Sequence, residues 1–210
     1  MIKVFIVDDH IIFREGLKKV IATDPDIEVA GEAGDGREAL RKITENTYDV
    51  VLLDIGLPGM DGLEVLRAAR KKKPALPILL LSIFPEEQYA VRALKEGASG
   101  YLTKESVPSE LIRAIRRAAQ GGRYVSPFLG ERLADTFMGK GGGEPHELLS
   151  SREYQVFHML VAGKSVKKIA QELCVAPTTV SSHRAHILEK MGMNNNADLI
   201  RYAMERHLIP

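Results

Sequence analysis

Five short apolar runs, each followed by an amphipathic segment, constrain the fold of this chain more than any other feature. The runs are rich in Val, Ile and Leu without polar alternation, which is typical of strands buried on both faces. They span residues 2–7, 28–33, 50–53, 78–81 and 100–102, and the helix-like segments span 11–23, 37–45, 62–72, 87–96 and 108–119. The alternation predicts an α/β fold, a doubly wound five-stranded parallel sheet covered by helices on both faces.

The composition favours a globular, soluble protein, since 45% of the 210 residues are hydrophobic and 27% are charged. No apolar stretch reaches the ~18 residues that cross a membrane, and the N-terminus lacks a signal-peptide pattern. We therefore expect a cytoplasmic protein with no membrane contact. The single cysteine, Cys174, excludes an internal disulfide, and we interpret it as a small core residue and not as a nucleophile.

The chain changes character after residue 120, which divides it into two predicted domains. Gly121 and Gly122 end the fifth helix, a short amphipathic piece covers residues 129–138, and glycines dominate residues 139–145. Such a composition is typical of a flexible linker. We predict an N-terminal domain over residues 1–120, a linker over 121–147 and a small all-α domain over 148–210.

Start and stop signals divide the C-terminal domain into four helices. Ser150 and Glu153 form a capping-box pattern, Ser165 can cap a second helix, and Pro177 suits the first turn of a third. Gly163 and Gly192 end the first and third helices. The predicted helices cover residues 150–161, 166–173, 177–191 and 197–207.

Polar side chains follow four of the five predicted strands. Asp8 and Asp9 come after the first strand, Asp54 after the third, Ser82 after the fourth and Thr103-Lys104 after the fifth. Because ligands of open parallel sheets bind outside the carboxyl ends of the strands, we expect these groups to meet at one edge. As alternatives, Asp8 and Asp9 could cap the following helix, and Lys104 could be a solvated surface lysine.

The expected cluster suits phosphoryl transfer to a carboxylate. Three neighbouring carboxylates repel one another, so a hard divalent cation such as Mg²⁺ should bind among them and offset charge on a transferring phosphoryl group. Asp54 follows the central strand and is the candidate nucleophile. Ser82 can hydrogen-bond a phosphoryl oxygen, and Lys104 can pair with it as a point charge.

These motifs resemble the receiver domain of two-component response regulators, which has a flavodoxin-like fold. The resemblance covers residues 1 to about 120 and consists of Asp8-Asp9, residues 54–62, Ser82 and residues 100–104. It implies that Asp54 is the phosphoacceptor and that Mg²⁺ is bound by Asp9, Asp54 and the backbone carbonyl of Gly56, with Asp8 beside them. It also implies that Ser82 and Tyr101 form a switch pair, although Tyr101 could equally be an ordinary strand aromatic.

The chain departs from the receiver pattern at two positions. Ile83 follows Ser82, where the family usually has a smaller residue, and we expect its bulk to narrow the access of water to the phosphoryl group and slow its loss. Glu105 follows Lys104, where a proline is common in other receivers. Relatives in this subfamily often lack that proline, so the second departure carries little weight.

The second and third C-terminal helices are joined closely enough to form a helix-turn-helix. On the third helix, Val180, Ile187 and Met191 recur at helical spacing and should face the core. The opposite side carries small or hydroxyl-bearing residues, and cations nearby can reach phosphates. These residues are Thr178, Ser181, Ser182 and Ala185, with Lys164, Lys167, Lys168, Arg184 and Lys190. A helical bundle with polar faces is the alternative, and since the net charge is only +1, DNA binding must depend on where the charges lie.

This region resembles the LuxR-type DNA-binding domain over residues 148 to about 207. The matching positions are 149–153, 162–163, 168–170, 179–180, 183, 187 and 190–192. The resemblance implies DNA contacts for Lys167, Lys168, Thr178, Thr179, Ser181, Ser182, His183, Arg184, Ala185 and Lys190. Ala176 stands where a capping Ser or Thr is usual, and Asn196 replaces a usual arginine, which should remove one phosphate contact. Ser181, Ser182 and Ala185 occupy the base-contact positions without being bidentate readers, so DNA shape and water should contribute to recognition.

Together the two halves resemble the NarL/FixJ class of response regulators. The resemblance implies a DNA-binding transcription regulator that a sensor histidine kinase switches by phosphorylating Asp54, with Mg²⁺ as cofactor. Its implied partners are that kinase, double-stranded DNA, a second copy in a homodimer at least when phosphorylated, and RNA polymerase. We expect no enzyme activity beyond the chain's own phosphoryl transfer and dephosphorylation. The alternatives are an aspartyl-phosphate phosphatase, disfavoured because Asp8 and Asp9 are adjacent, and a regulator that never uses phosphorylation.

Overall fold

Five parallel strands form the sheet of the N-terminal unit in this computed structural model, in the order β2-β1-β3-β4-β5. The strands are β1 (Ile2–Val7), β2 (Ile27–Ala33), β3 (Val50–Asp54), β4 (Ile78–Ser82) and β5 (Gly100–Thr103). The connections change direction at β1 and β3, so the carboxyl ends of these two strands border the crevice of a doubly wound sheet. The predicted α/β fold and the positions of its strands are confirmed.

The structure describes residues 1–83, 86–106, 108–127, 129–131, 144–206 and 208. They belong to two units, Met1–Ala134 and Asp135–Pro210. Most of the predicted glycine-rich stretch (139–145) and most of the amphipathic piece before it (129–138) fall on residues 132–143, which lie outside the described residues. Within the described ranges, no helix is long and apolar enough to cross a membrane.

Five helices follow the strands of the N-terminal unit, as parallel strands require crossover connections. They are α1 (Ile11–Ile21), α2 (Gly36–Glu45), α3 (Gly62–Lys72), α4 (Glu86–Lys95) and α5 (Pro108–Ala119). The Asp35 carboxylate caps α2 by accepting hydrogen bonds from the backbone N–H groups of Arg37 and Glu38. Asp61 and Glu64 close a capping box at the start of α3, so the loop between β3 and α3 ends at a defined residue.

Apolar packing on the strands fixes where they end. Every residue of β3 and β4 is buried, and one core layer packs Leu52 and Leu81 with Leu17 of α1 and Ile115 of α5. Fully burying such a side chain stabilises the fold by roughly 1.5–3 kcal/mol. The register pairs Asp54 with Leu81 and Ser82 with Thr103. The polar residues that follow these strands are therefore held near one another at a single edge.

The described residues of the C-terminal unit form helices joined by short turns. A 3₁₀ helix (Pro145–Leu148) precedes α6 (Ser151–Val161), α7 (Val166–Glu172), α8 (Pro177–Met191) and α9 (Asn196–Glu205). The predicted signals are confirmed, because Ser150 and Glu153 close a capping box, Ser165 caps α7 and Pro177 begins α8. Gly163 and Gly192 follow α6 and α8 with φ of 79° and 66°, a backbone conformation that glycine adopts without steric cost.

Cys174 corrects one interpretation of the sequence. It is exposed, so the prediction of a small core residue is wrong. Its φ is 51°, in the left-handed region that only a tight turn normally imposes on a residue with a Cβ atom. The chain must reverse here between α7 and α8, and Leu173, not Cys174, is the buried residue of the turn.

Candidate functional site

Four side chains that can bind a cation converge at the carboxyl ends of β1 and β3. Asp8, Asp9, His10 and Asp54 each place one ligand atom so that all four atoms lie within 4.8 Å of one another. Asp8 and Asp54 are buried, whereas Asp9 and His10 are exposed. The cluster thus has a buried side within the sheet edge and an open side facing solvent.

Asp54 is the last residue of β3 and lies at the buried side of this cluster. Only 3% of it is exposed. Burial and the nearby Asp8 carboxylate raise the pKa of Asp54 above its ordinary value, and the opposing effect of Lys104 is too small to reverse this. The charged form of Asp54 is therefore held in an unfavourable environment, which an additional positive charge would relieve.

Lys104 follows β5 and bridges the two buried carboxylates. Its ammonium nitrogen lies 2.6 Å from Asp8 Oδ2 and 2.9 Å from Asp54 Oδ2, and its side chain is 11% exposed. The same nitrogen lies 4.7 Å from the centre of the Phe13 ring. Burial lowers the pKa of Lys104, but Asp54 and Asp8 outweigh it and the pKa is raised. The alternative that Lys104 is a solvated surface lysine is wrong.

Asp8 is anchored by the turn that leads into α1. Its Oδ1 atom accepts a hydrogen bond from the backbone N–H of His10 at 2.8 Å, and Arg14 donates to its backbone carbonyl at 2.5 Å. The N-cap residue of α1 is His10, which makes no side-chain cap bond. The alternative role of Asp8 and Asp9 as the cap of this helix is therefore wrong.

His10 is a member of the cluster that the sequence analysis did not single out. Its Nδ1 atom lies 2.7 Å from Asp9 Oδ1 and 3.3 Å from Asp8 Oδ1. The only signal in the sequence is its place directly after the two aspartates. One histidine beside two aspartates is a weak signal, so it does not by itself point to a site.

The loop after β3 approaches the Asp54 carboxylate with its backbone. The N–H of Gly56 donates a hydrogen bond to that carboxylate, and a Cβ atom on Gly56 would lie 3.5 Å from Asp54 Oδ2. At Gly62 a Cβ atom would lie within 2.0 Å of the Asp54 carbonyl oxygen. Only glycine fits at position 62, so the loop folds back tightly over the end of β3.

Ser82 and Tyr101 lie on the neighbouring strands β4 and β5. Each is 1% exposed, and the register pairs Leu80 with Tyr101 and Ser82 with Thr103. Ile83, directly after Ser82, is 75% exposed. Burial of Tyr101 fits both a switch residue and an ordinary strand aromatic, so both interpretations of this residue stay open.

The donor atoms of the cluster suit a small divalent cation. Carboxylate and backbone carbonyl oxygens are the ligands that Mg²⁺ prefers, and it commonly needs only one or two carboxylates because it keeps several waters. Burial and the Asp8 carboxylate raise the pKa of Asp54, and such a cation would stabilise its charged form. The clustered carboxylates of Asp8, Asp9 and Asp54 therefore fit a magnesium site.

The third helix of the C-terminal unit, α8, presents two different faces. Val180 and Ile187 are fully buried and Met191 is 6% exposed, as predicted for the core face. The residues predicted to approach DNA lie elsewhere on the helix. Thr178, Thr179, Ser181, Ser182 and Ala185 are exposed, and His183 and Arg184 are partly buried. The Ser182 hydroxyl donates to the Thr178 carbonyl at 3.1 Å, within the same helix.

The cations of this unit differ in how they are held. Lys167 and Lys168 are exposed, and Lys164 and Lys168 lie 2.5 and 3.8 Å from Glu172 carboxylate oxygens. Lys190 lies 2.6 Å from Glu153 Oε2. This lysine, predicted to contact DNA, therefore joins the end of α8 to the start of α6.

Comparison with known proteins agrees with this geometry. The family described as response regulator receiver domain matches residues 4–116, and the bacterial regulatory proteins of the luxR family match residues 147–203. The chain is 35% identical to the response regulator GacA of Pseudomonas syringae pv. syringae, over 100% of this chain and 98% of GacA. It is 36% identical to the probable transcriptional regulatory protein NarL of Mycobacterium tuberculosis, over 99% of this chain and 96% of NarL.

A solved structure matches nearly the whole chain in sequence order and fold. RcsB from Salmonella enterica serovar Typhimurium, bound to promoter P1flhDC in the presence of the phosphomimetic BeF3-, has a TM-score of 0.65 and 25% sequence identity. The match covers 96% of this chain and 97% of that one. Both family matches and relatives of full length thus point to one class of protein. The chain belongs to the two-component response regulators of the NarL/FixJ class, with a receiver domain followed by a LuxR-type DNA-binding domain.

Proposed function

We propose that Asp54 accepts a phosphoryl group from a sensor histidine kinase and that this modification controls DNA binding by the C-terminal helices. The observation that carries the proposal is the burial of the Asp54 carboxylate beside Asp8 and Lys104 at the sheet edge. A carboxylate in this environment has a raised pKa. Converting it to an acyl phosphate removes the buried charge from its own oxygens and places the new charge on the phosphoryl group, at the open side of the cluster.

The chain's own residues have separate tasks in this reaction. An Asp54 carboxylate oxygen forms the new P–O bond while the N–P bond of the kinase's phosphohistidine breaks, and the freed imidazole leaves with the electron pair. Lys104, already at 2.9 Å from Asp54, pairs with a phosphoryl oxygen, and Ser82 donates a hydrogen bond to another. Bound by Asp9, Asp54 and the Gly56 carbonyl, Mg²⁺ would neutralise part of the charge that builds on the transferring group.

The phosphoryl group would act by shifting a population of receiver conformations. Ser82 and Tyr101 are buried on adjacent strands. Movement of Ser82 toward the phosphoryl group would therefore open space into which the Tyr101 side chain can move. Ile83 lies next to Ser82 and is exposed, where its bulk narrows the path of water and slows hydrolysis. Beyond this phosphoryl transfer and dephosphorylation, we propose no enzyme activity.

The DNA-binding part of the proposal concerns the exposed face of α8. RcsB, which shares the fold and 25% of the sequence, was solved with promoter DNA and a phosphomimetic, and this supports the same partner here. A homodimer in the phosphorylated state, contact with RNA polymerase and a cytoplasmic location complete the proposal. The small side chains of α8 then allow close approach to the groove, and cations around it contact phosphates.

Intact-mass measurement after incubation with acetyl phosphate and Mg²⁺ tests the phosphoacceptor directly. Wild type should gain the mass of one phosphoryl group and Asp54→Ala should gain none. Asp49→Ala is the matched control, since Asp49 is exposed just before β3 and should not affect the reaction. A wild type that stays unmodified, or an Asp54→Ala variant that is modified equally, would contradict the proposal.

Binding to duplex DNA is then compared for the phosphorylated and unmodified protein. We expect tighter binding by the phosphorylated form on fragments selected from a mixed pool. Equal affinity of the two forms would contradict the proposal that phosphorylation controls DNA binding. Release of phosphate from a small phosphate monoester, which unlike acetyl phosphate is not a phosphoryl donor for the receiver, would instead favour a phosphatase if Asp54→Ala abolishes it.

A further inference from the structure

One predicted phosphate-contacting residue, Arg184 of α8, is held by a neutral side chain. Its Nε atom donates a hydrogen bond to Oδ1 of Asn196 at 2.6 Å. Asn196 is the first residue of α9, so this bond joins the third helix of the unit to the start of the fourth. It spans twelve positions of the sequence and depends on how the two helices pack.

Arg184 lies at the border between the two faces of α8. Successive residues of a helix are rotated by about 100°, which places Arg184 beside the buried positions Val180 and Ile187 on one side. On its other side are the exposed residues Ser181 and Ala185. A long side chain at this border extends along the rim of the face predicted to enter the groove, where the phosphates of the backbone lie.

The bond to Asn196 uses only the Nε–H donor of the guanidinium. Arginine has five N–H donors, and a bond at Nε leaves the four on its two Nη atoms. The edge formed by these two atoms matches two oxygens of one phosphate group. Since an amide carries no charge, Asn196 does not compensate the positive charge of Arg184, whereas Lys190 faces the Glu153 carboxylate.

We propose that Asn196 is a positioning residue that holds Arg184 in the orientation needed to bind a DNA phosphate. The inference rests on the DNA-binding function proposed above and adds a role for the residue that replaces the arginine usual in this family. Instead of supplying its own phosphate contact, Asn196 reduces the conformational freedom that Arg184 loses on binding. Fixing one long side chain in advance corresponds to roughly 3- to 10-fold in affinity.

The test uses the full chain and a mixed-sequence DNA duplex roughly two helical turns long, with the dissociation constant measured over a series of salt concentrations. Arg184→Ala should weaken binding and reduce the salt dependence by about one phosphate contact, a slope change of about 0.9. Asn196→Ala should weaken binding roughly 3- to 10-fold with nearly the same slope. In the double variant, the Asn196→Ala change should add nothing to the loss caused by Arg184→Ala.

The neighbouring Asn194→Ala serves as the matched control, because Asn194 is exposed and its backbone N–H, not its side chain, bonds Asp198. Asn196→Asp keeps the acceptor but compensates the charge of Arg184, so it should lower both affinity and slope. Asn196→Ala that binds like Asn194→Ala, or lowers only the melting temperature, would overturn the inference. So would a loss that persists in the Arg184→Ala background. Failure of wild type to bind any duplex would overturn the proposed DNA binding itself.

Discussion

Each unit of the molecule contains a buried carboxylate paired with a lysine, yet the pKa values of the two carboxylates are shifted in opposite directions. Asp54 lies 2.9 Å from Lys104 and Glu153 lies 2.6 Å from Lys190. Their exposure is similar, 3% and 4%. Nevertheless, burial and Asp8 raise the pKa of Asp54. Burial also raises the pKa of Glu153, but Lys190 and Ser150 outweigh it and the pKa is lowered.

Deeper burial of Asp54 and the different neighbours of the two carboxylates account for the difference. Asp54 shares its lysine with Asp8, whose Oδ2 atom is only 2.6 Å from Lys104. Glu153 receives a hydrogen bond from the backbone N–H of Ser150 in addition to the one from Lys190. An undercompensated carboxylate suits chemical modification or cation binding, whereas a fully compensated one stabilises helices. A low exposed fraction therefore does not by itself distinguish a reactive carboxylate from a structural one.

Removing the compensated carboxylate should have the largest effect. Glu153→Ala opens the capping box of α6 and separates it from Lys190, so we expect the C-terminal unit to lose about 3 kcal/mol of stability. Hydrogen exchange of the α6 and α8 amides in the full chain measures this loss. Lys190→Gln should cost less because Lys190 is 40% exposed and water can replace part of its contact. Equal effects of the two variants would contradict the structural role of Glu153.

Lowering the pH should also destabilise the C-terminal unit, through protonation of His158 in the unfolded chain. Burial, with a smaller contribution from His146, lowers the pKa of His158 from 6.5 to about 4. The unfolded chain therefore takes up a proton below about pH 6.5 that the folded unit refuses, and stability falls as the pH falls toward 4. We expect a loss of about 2 kcal/mol near pH 5 from this group. Lowering of the Glu153 pKa acts in the same direction at lower pH.

His158→Gln checks the assignment of this acid response. The stability of the variant should change less between about pH 7 and pH 5 than that of wild type, because the glutamine side chain takes up no proton in this range. Urea unfolding of both proteins at the two pH values, monitored by hydrogen exchange of the α6 amides, measures this change in stability. An unchanged pH dependence in the variant would assign the acid response to other groups.

The sequence could predict the edge of the sheet at which Asp54 lies, because the geometry of parallel strands determines that edge. Once five apolar runs are read as one sheet, the residues that follow them must gather at the carboxyl ends. Asp8, Asp54 and Lys104 meet for this reason, although they are far apart in the chain. The helix caps at Ser150 and Ser165 were predictable because they depend on residues only three positions away.

The pairing of Glu153 with Lys190 could not be predicted in the same way. The two residues are 37 positions apart and meet only because α6 and α8 cross at a particular angle, which periodicity does not specify. The bond between Arg184 and Asn196 depends on packing in the same sense. Cys174 was misassigned because its hydrophobic character predicted burial, whereas the left-handed turn directs it to solvent.

Neutralising the undercompensated carboxylate should have the smallest effect and the opposite sign. Asp54→Asn keeps an oxygen that can accept from Lys104 and from the Gly56 N–H, while it removes the repulsion between Asp54 and Asp8. Because the folded-state pKa of Asp54 is raised, the ionised form disfavours folding at neutral pH, and its removal should stabilise the receiver by about 1 kcal/mol without Mg²⁺. Thermal unfolding with a metal chelator present measures this gain.

Magnesium makes the same comparison sharper. A cation bound by Asp9, Asp54 and the Gly56 carbonyl stabilises wild type by mass action, and Asp54→Asn, which lacks one anionic ligand, should gain less from it. The difference between the melting temperatures of Asp54→Asn and wild type is therefore expected to narrow, or to change sign, as Mg²⁺ is added. A variant that is less stable than wild type even in the chelator would show that Lys104 compensates both aspartates fully, and the contrast with Glu153 would then fail.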